Sequence, residues 1–277
     1  MDSNGTGFVL LNGMQEFRTA SRDCAWNETA AAAMSFANDL TNNATAFTAS
    51  TGVHTFSGAG ATLSGTTATV IPSIAVTGTY ANNGTLTVNT ALSGAGSLTN
   101  SGTGILNLGG TCSITTLANA GTINDSGAGT TTTALANFTN TGIITISGSG
   151  TITGITNNAG GIVNHSGSST ITSFHNATST SRLNISTTPT VPTITTLTVS
   201  AVGNTVNYSG AGPQTVIAAA YSKLIVSGSG VKSLLAGTST AGNLSIAPTG
   251  TATASVGAGL TLTVDSLTRG SLGVCRT

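Results

Sequence analysis

The chain has 277 residues, of which 38% are apolar and only 5% are charged, and its seven acidic residues balance its seven basic residues. A chain without a net charge lacks the broad basic surface with which proteins bind nucleic acids or anionic membranes. Disordered chains are usually highly charged and poor in β-branched residues, whereas this one is rich in Thr, Val and Ile, so the composition predicts ordered β structure.

Residues 1–50 differ from the rest of the chain and are predicted to form an N-terminal cap. Between residues 26 and 40, apolar residues recur at helical spacing, with Asn27 in an N-cap position and Glu28 in the first turn. The apolar residues are Trp26, Ala30, Ala33, Ala37 and Leu40. We therefore expect a short helix that covers an otherwise exposed strand edge.

Residues 51–182 carry a regular repeat, in which an apolar residue is followed two positions later by asparagine and often two positions after that by glycine. The asparagines are Asn82, Asn100, Asn119, Asn140, Asn157 and Asn176, and the apolar residues that precede them are spaced by 18, 19, 21, 17 and 19 residues. Propeller blades and helical repeats need roughly 33 to 50 residues. A period of about 19 residues instead matches one coil of a β-solenoid.

In such a coil, short strands alternate with corners where Asn and Gly accept the left-handed conformation. Stacking places equivalent strands about 4.8 Å apart, so the repeated asparagines are predicted to form a ladder of hydrogen-bonded amides along one corner. The alternative, that each Asn is only a turn former, is equally structural. Alternation predicts that Ile152 and Ile171 point inward. The fold class expected is all-β, a right-handed parallel β-solenoid.

Residues 183–277 keep strand-like segments, such as Leu197–Val199 and Leu224–Val226, but the spacing loosens through Pro189, Pro192 and Pro213. We expect a less regular continuation of the solenoid after a soft boundary near residues 183–196. We also expect the chain to be a piece of a longer protein.

The segments Asn82–Val88, Phe138–Ile144 and Asn204–Gly210 resemble the repetitive passenger regions of bacterial surface proteins, the autotransporters and the filamentous-haemagglutinin-like adhesins. This resemblance extends over roughly residues 50–265. It implies a parallel β-helix, an extracellular or cell-surface location, and a role in adhesion or matrix formation. The partners expected are glycans, host or matrix surfaces, or further copies of the chain, and neither nucleic acid nor membrane insertion is expected.

An alternative function is ice binding. With a coil of 19 residues, hydroxyl side chains fall at nearly the same coil position in four coils, where they would form two outward columns. They are Ser113, Thr115, Thr131, Thr133, Thr151, Thr153, Thr170 and Thr172. Threonine is also the common way to make an exposed strand soluble without charge, and this simpler interpretation is favoured.

A second alternative is a β-helix enzyme that acts on polysaccharides. Such chemistry needs paired carboxylates, or acidic ligands with a base. The regular repeats offer Asp125 alone, so no catalytic residue, cofactor or metal site is predicted. His54, His165 and His175 lack neighbours at ligand spacing and are expected at the surface or in turns. Cys112 is expected to be a small buried residue.

Overall fold

The computed structural model describes residues 16–18, 25–28, 31, 33–131, 137–188, 191–258, 262–270 and 275–276. The chain divides into two units, residues 1–133 and 134–277, and both are built from strands that pair in parallel. The predicted fold class, an all-β parallel β-solenoid, is confirmed. None of the described residues belongs to a helix long and apolar enough to cross a membrane.

The first unit consists of short strands because each coil turns through several corners. Its strands are β1 (Glu16–Arg18), β2 (Ala25–Asn27), β3 (Met34–Phe36), β4 (Asp39–Thr41), β5 (Ala46–Thr48), β6 (Val53–Phe56), β7 (Ala59–Ser64), β8 (Thr69–Val70), β9 (Ser73–Val76), β10 (Thr79–Asn82), β11 (Thr85–Val88), β12 (Ala91–Ser93), β13 (Ser97–Asn100), β14 (Ile105–Leu108), β15 (Thr111–Cys112), β16 (Thr116–Asn119), β17 (Thr122–Asp125) and β18 (Thr130–Thr131).

Three sheets form the sides of this unit. Sheet A has the order β3-β6-β9-β12-β15-β18, sheet B the order β1-β4-β7-β10-β13-β16, and sheet C the order β8-β11-β14-β17, while β2 pairs with β5. Consecutive strands such as β9, β10 and β11 belong to sheets A, B and C in turn. One coil therefore visits all three sides before the next coil begins.

The second unit contains longer strands that run through a corner. Its strands are β19 (Phe138–Asn140), β20 (Ile143–Ile146), β21 (Thr151–Asn157), β22 (Ile162–His165), β23 (Thr170–Asn176), β24 (Arg182–Ile185), β25 (Ile194–Thr198), β26 (Thr205–Tyr208), β27 (Gln214–Val216), β28 (Ala220–Gly228), β29 (Val231–Leu234), β30 (Ser239–Gly250), β31 (Thr253–Val256), β32 (Thr263–Arg269) and β33 (Cys275–Arg276).

These strands form sheet D (β19-β21-β23-β25), sheet E (β20-β22-β24-β26-β28-β30-β32) and sheet F (β27-β29-β31-β33). The soft boundary expected near residues 183–196 does not interrupt sheet E, because β24 pairs with β26 and β26 pairs with β28. The proposed division of the chain into residues 1–50, 51–182 and 183–277 stays a prediction.

The core of each unit is a set of aliphatic columns that follow from strand alternation. In β11, β14, β20, β22 and β24 every second residue is buried. Leu86, Leu106 and Ile123 stack in register in sheet C. Each is at most 1% exposed. Burying one such side chain contributes about 2 kcal/mol, so repetition of the column stabilises the whole stack.

The predicted helix near residues 26–40 is wrong. The described residues of this stretch form β2, β3 and β4, and Phe36 and Leu40 are buried as inward residues of strands. Phe36 pairs with Phe56, and their rings stack with centroids 5.0 Å apart. Pairing with the neighbouring coil satisfies the backbone and buries these side chains, so tertiary contacts outweigh the helical spacing of the alanines.

Candidate functional site

The repeated asparagines of the sequence form a buried ladder at one corner of each unit, here called the corner ladder. Its members are Asn82, Asn100 and Asn119 in the first unit and Asn140, Asn157 and Asn176 in the second, and none is more than 2% exposed. Nδ2 of Asn82 donates to Oδ1 of Asn100, and Nδ2 of Asn100 to Oδ1 of Asn119, both at 2.8 Å. Asn140, Asn157 and Asn176 are joined in the same way at 2.8 Å.

Backbone carbonyl groups of the turn satisfy the remaining amide protons of the corner ladder. Nδ2 of Asn157 donates to the carbonyl oxygens of Gly161 and Arg182, each at 3.0 Å. Nδ2 of Asn100 similarly donates to the carbonyl oxygens of Gly104 and Thr122 at 3.1 and 2.9 Å. A buried amide that is saturated in this way holds one coil to the next and has nothing left to offer a ligand.

The outward hydroxyl array expected for ice binding is not formed as predicted, because Thr131 points inward. Thr131 is 3% exposed and pairs in register with Cys112, which is itself fully buried as expected. The prediction had aligned Thr131 with Ser113, and a shift of one residue turns a side chain to the opposite face of its strand. Thr133 lies outside the described residues.

The other predicted hydroxyl residues are divided between the two units. Ser113 and Thr115 are exposed but lie between β15 and β16, and the Thr115 hydroxyl is engaged with the carbonyl oxygen of Gly94 at 3.3 Å. Thr151 and Thr170 pair in register on β21 and β23, where Thr153 is half-buried and Thr172 exposed. Of the predicted array, the structure thus brings Thr151 and Thr170 together in register on sheet D.

A second row of polar side chains, which the sequence analysis missed, lies on the outer side of sheets C and E. This outer row consists of Asn107 and Asn124 on sheet C, and Asn164, Asn184 and Asn207 on sheet E, all half-buried. Nδ2 of Asn124 donates to Oδ1 of Asn107 at 2.9 Å, and Nδ2 of Asn184 to Oδ1 of Asn164 at 2.8 Å. The Ser227 hydroxyl donates to Oδ1 of Asn207 at 2.8 Å.

A signal for the outer row exists in the sequence. Each of its asparagines stands between two residues that point inward or end an inward column, as in Leu106-Asn107-Leu108 and Leu183-Asn184-Ile185. Such triplets recur at coil spacing, with 17 residues between Asn107 and Asn124 and 20 between Asn164 and Asn184. The absence of a shared glycine made this recurrence harder to see than that of the corner ladder.

His54, His165 and Lys232 are fully buried, contrary to the expectation that the two histidines lie at the surface or in turns. His54 lies 2.9 Å from Oε2 of Glu28 through Nε2 and 2.9 Å from the carbonyl oxygen of Gly52 through Nδ1. Nζ of Lys232 donates to three backbone carbonyl oxygens at 2.7–3.0 Å, and burial lowers its pKa to about 8. These two groups are held by the hydrogen bonds that neighbouring coils supply.

His165 is also fully buried, and neither of its ring nitrogens has a hydrogen-bond partner among the described residues. It occupies an inward position of sheet E between Ile146 and Ile185. Burial lowers the pKa of His165 to about 4. The ring is therefore neutral at pH 7 and serves as a spacer in an aliphatic column.

Asp125 ends the inward column that begins with Val88 and Leu108 in sheet C. Burial raises the pKa of its carboxyl group to about 6, although the backbone N–H of Gly127 partly offsets this effect. Among the described residues, no group of three His, Cys, Asp or Glu side chains is placed to hold a metal ion.

The described part thus contains two regular arrays of asparagine: the corner ladder, which is buried, and the outer row, which is partly exposed to solvent. Comparisons of this chain with protein-family models, with curated proteins and with solved structures gave no match.

Proposed function

We propose that this protein is a non-catalytic, adhesin-like solenoid of the cell surface or extracellular space that binds glycans along its outer row. The observation that carries the proposal is the repetition of one uncharged side chain at one position of successive coils. Asn164 and Asn184 illustrate it, since they are adjacent on sheet E, half-buried and joined by an amide hydrogen bond.

The chemistry of the primary amide supports a ligand that is rich in hydroxyl groups. A side-chain amide has two N–H donors and an oxygen with two lone pairs, whereas the bonds along the row use one donor and one lone pair for each contact. The remaining donors and acceptors point away from the core. Because the row already fixes the side chains, a ligand would meet them at little further cost in conformational entropy.

The experiment is a glycan array probed with the folded full chain, followed by affinity measurement for each glycan that binds. The double variant Asn164→Ala, Asn184→Ala removes adjacent amides of the outer row. The control variant Thr172→Ala, Thr196→Ala removes two exposed hydroxyl groups of sheet D. We expect binding at least tenfold weaker in the asparagine variant and unchanged binding in the threonine variant.

Circular dichroism would establish that each variant retains its β structure. If the folded chain binds no glycan, or if the two double variants bind equally well, the proposed glycan-binding function is wrong.

A further inference from the structure

Arg182 and Lys223 are the only two charged residues of the sequence between residues 126 and 231, and both are basic. Both are exposed and occupy the same outward column of sheet E. Arg182 pairs with Thr205, which pairs with Lys223, so one coil lies between the two cations. A stretch otherwise free of charge therefore places its two cations on one side of the solenoid, in register.

Neither cation is neutralised within the described part of the chain, where the Arg182 guanidinium and the Lys223 ammonium make no hydrogen bond or ion pair. Residues 134–277 contain one acidic residue, Asp265, against five basic ones, for a net charge of +4. The basic residues are Arg182, Lys223, Lys232, Arg269 and Arg276. The zero net charge of the whole chain thus conceals a basic second unit.

The spacing of these groups defines what they can bind. Neighbouring coils are about 4.8 Å apart, so two coils separate the column positions of Arg182 and Lys223 by about 9.6 Å. Two residues farther along β24 and β26, Asn184 and Asn207 of the outer row lie about 6.7 Å from Arg182 and Thr205, respectively. On β28, the strand of Lys223, the equivalent position is occupied by Ile225. The surface therefore combines two widely spaced cations with a parallel line of neutral amides.

We infer that this surface of sheet E binds an acidic polysaccharide that carries a carboxylate on alternate sugars. Arg182 and Lys223 pair with two successive carboxylates, and the amides of Asn184 and Asn207 hydrogen-bond hydroxyl groups between them. The planar guanidinium of Arg182 suits a bidentate pair with a carboxylate. This inference rests on the proposed function and names the class of glycan that the outer row takes.

Other anionic partners fit the surface less well. A nucleic acid presents phosphates more densely, with one charge per about 3.4 Å of each strand, and single strands are usually held by exposed aromatic rings. The outward positions of β22, β24 and β26 include no aromatic residue, since Tyr208 is fully buried. Recognition of an anionic membrane takes about four to eight clustered cations.

The test is titration calorimetry of the full chain with hyaluronan, which has one carboxylate per disaccharide, in the presence of a chelator of divalent cations. Carboxyl-reduced hyaluronan is the matched neutral ligand. We expect binding of hyaluronan at least tenfold tighter than binding of the reduced polymer. Arg182→Gln and Lys223→Gln should each weaken the binding of hyaluronan at least tenfold.

Arg269→Gln is the control variant, because Arg269 is an exposed cation of the same sheet outside the column. The inference is overturned if Arg269→Gln weakens binding as much as Arg182→Gln does, or if an oligonucleotide or an anionic vesicle binds as tightly as hyaluronan. Equal affinity for both polymers also overturns it. In that case, loss of binding in the Asn164→Ala, Asn184→Ala variant would still support the proposed glycan-binding function. Unchanged binding in that variant would contradict both the proposed function and this inference.

Discussion

The corner ladder and the outer row use the same residue, the same coil spacing and the same amide–amide hydrogen bonds of 2.8–2.9 Å, and they differ chiefly in burial. Asn157 is inaccessible and all of its amide protons are donated to protein oxygens. Asn184 is half-buried and donates one hydrogen bond to its neighbour. The comparison teaches that an asparagine ladder alone does not indicate function, because solvent access decides whether an amide holds the fold together or is available to a ligand.

The largest expected effect comes from removing an amide of the corner ladder. Asn157→Ala removes two N–H groups that are shared among three protein oxygens, and it also removes the Oδ1 that accepts from Asn140. Since each unsatisfied buried polar group costs about 1–3 kcal/mol, we expect the free energy of unfolding to fall by about 4 kcal/mol. Urea unfolding followed by circular dichroism measures this change.

The matched control is Asn184→Ala in the outer row, where water replaces the lost hydrogen bond. We expect a loss below about 1 kcal/mol there. Equal losses at Asn157 and Asn184 would contradict the assignment of different roles to the two rows.

The corner ladder was predictable because asparagine and glycine recur together in the sequence, and only a corner of a coil needs both. The outer row required the register of the strands, since asparagine on a strand has no turn signature. Thr131 shows why exact register could not be derived. Spacings along the corner ladder vary from 17 to 19 residues within a unit, so both Ser113, 18 residues before Thr131, and Cys112, 19 residues before it, fit the sequence pattern, and only the strand pairing selects Cys112.

The charged groups were the least predictable part of the candidate site. Composition described a neutral chain, and only the pairing of β24, β26 and β28 places Arg182 and Lys223 in one column. The prediction of a helix near residues 26–40 was wrong for the opposite reason. Its local spacing was suggestive, but pairing with the next coil decided the structure.

The glycines of the corner turns offer a second way to sharpen the comparison. A Cβ at position 104 would lie 2.3 Å from the carbonyl oxygen of Asn82 and 2.5 Å from Oδ1 of Asn100, both parts of the corner ladder. Gly104→Ala must therefore displace backbone or break the ladder, and we expect a loss of about 3 kcal/mol in unfolding free energy.

Gly102 belongs to the same turn and is the control, because a Cβ there meets no atom within 4 Å. Gly102→Ala should change the unfolding free energy by less than about 1 kcal/mol. This outcome would show that the repeated glycine two residues after the asparagine is dispensable here, whereas the less conspicuous glycine beyond it is required. A large loss in Gly102→Ala would contradict this account of the turn.

His165 is an inward polar side chain that lacks the hydrogen-bond partners of the corner ladder, and its effect on stability can be tested through pH. Its pKa is about 4 in the folded protein against an ordinary value of 6.5, so the unfolded chain binds the proton more tightly. The contribution of His165 to stability is therefore full above pH 6.5 and falls as the pH drops toward 4, by about 2 kcal/mol at pH 5.

The raised pKa of Asp125 acts with the opposite sign, since its contribution to stability is full below pH 3.8 and is lost as the pH rises through about 6. Urea unfolding of the wild type and of His165→Leu, each at pH 7 and pH 5, separates the effects of His165 and Asp125. The variant should lack the loss of unfolding free energy that His165 causes at pH 5. An equal change between the two pH values in both proteins would show that the buried ring does not titrate as inferred.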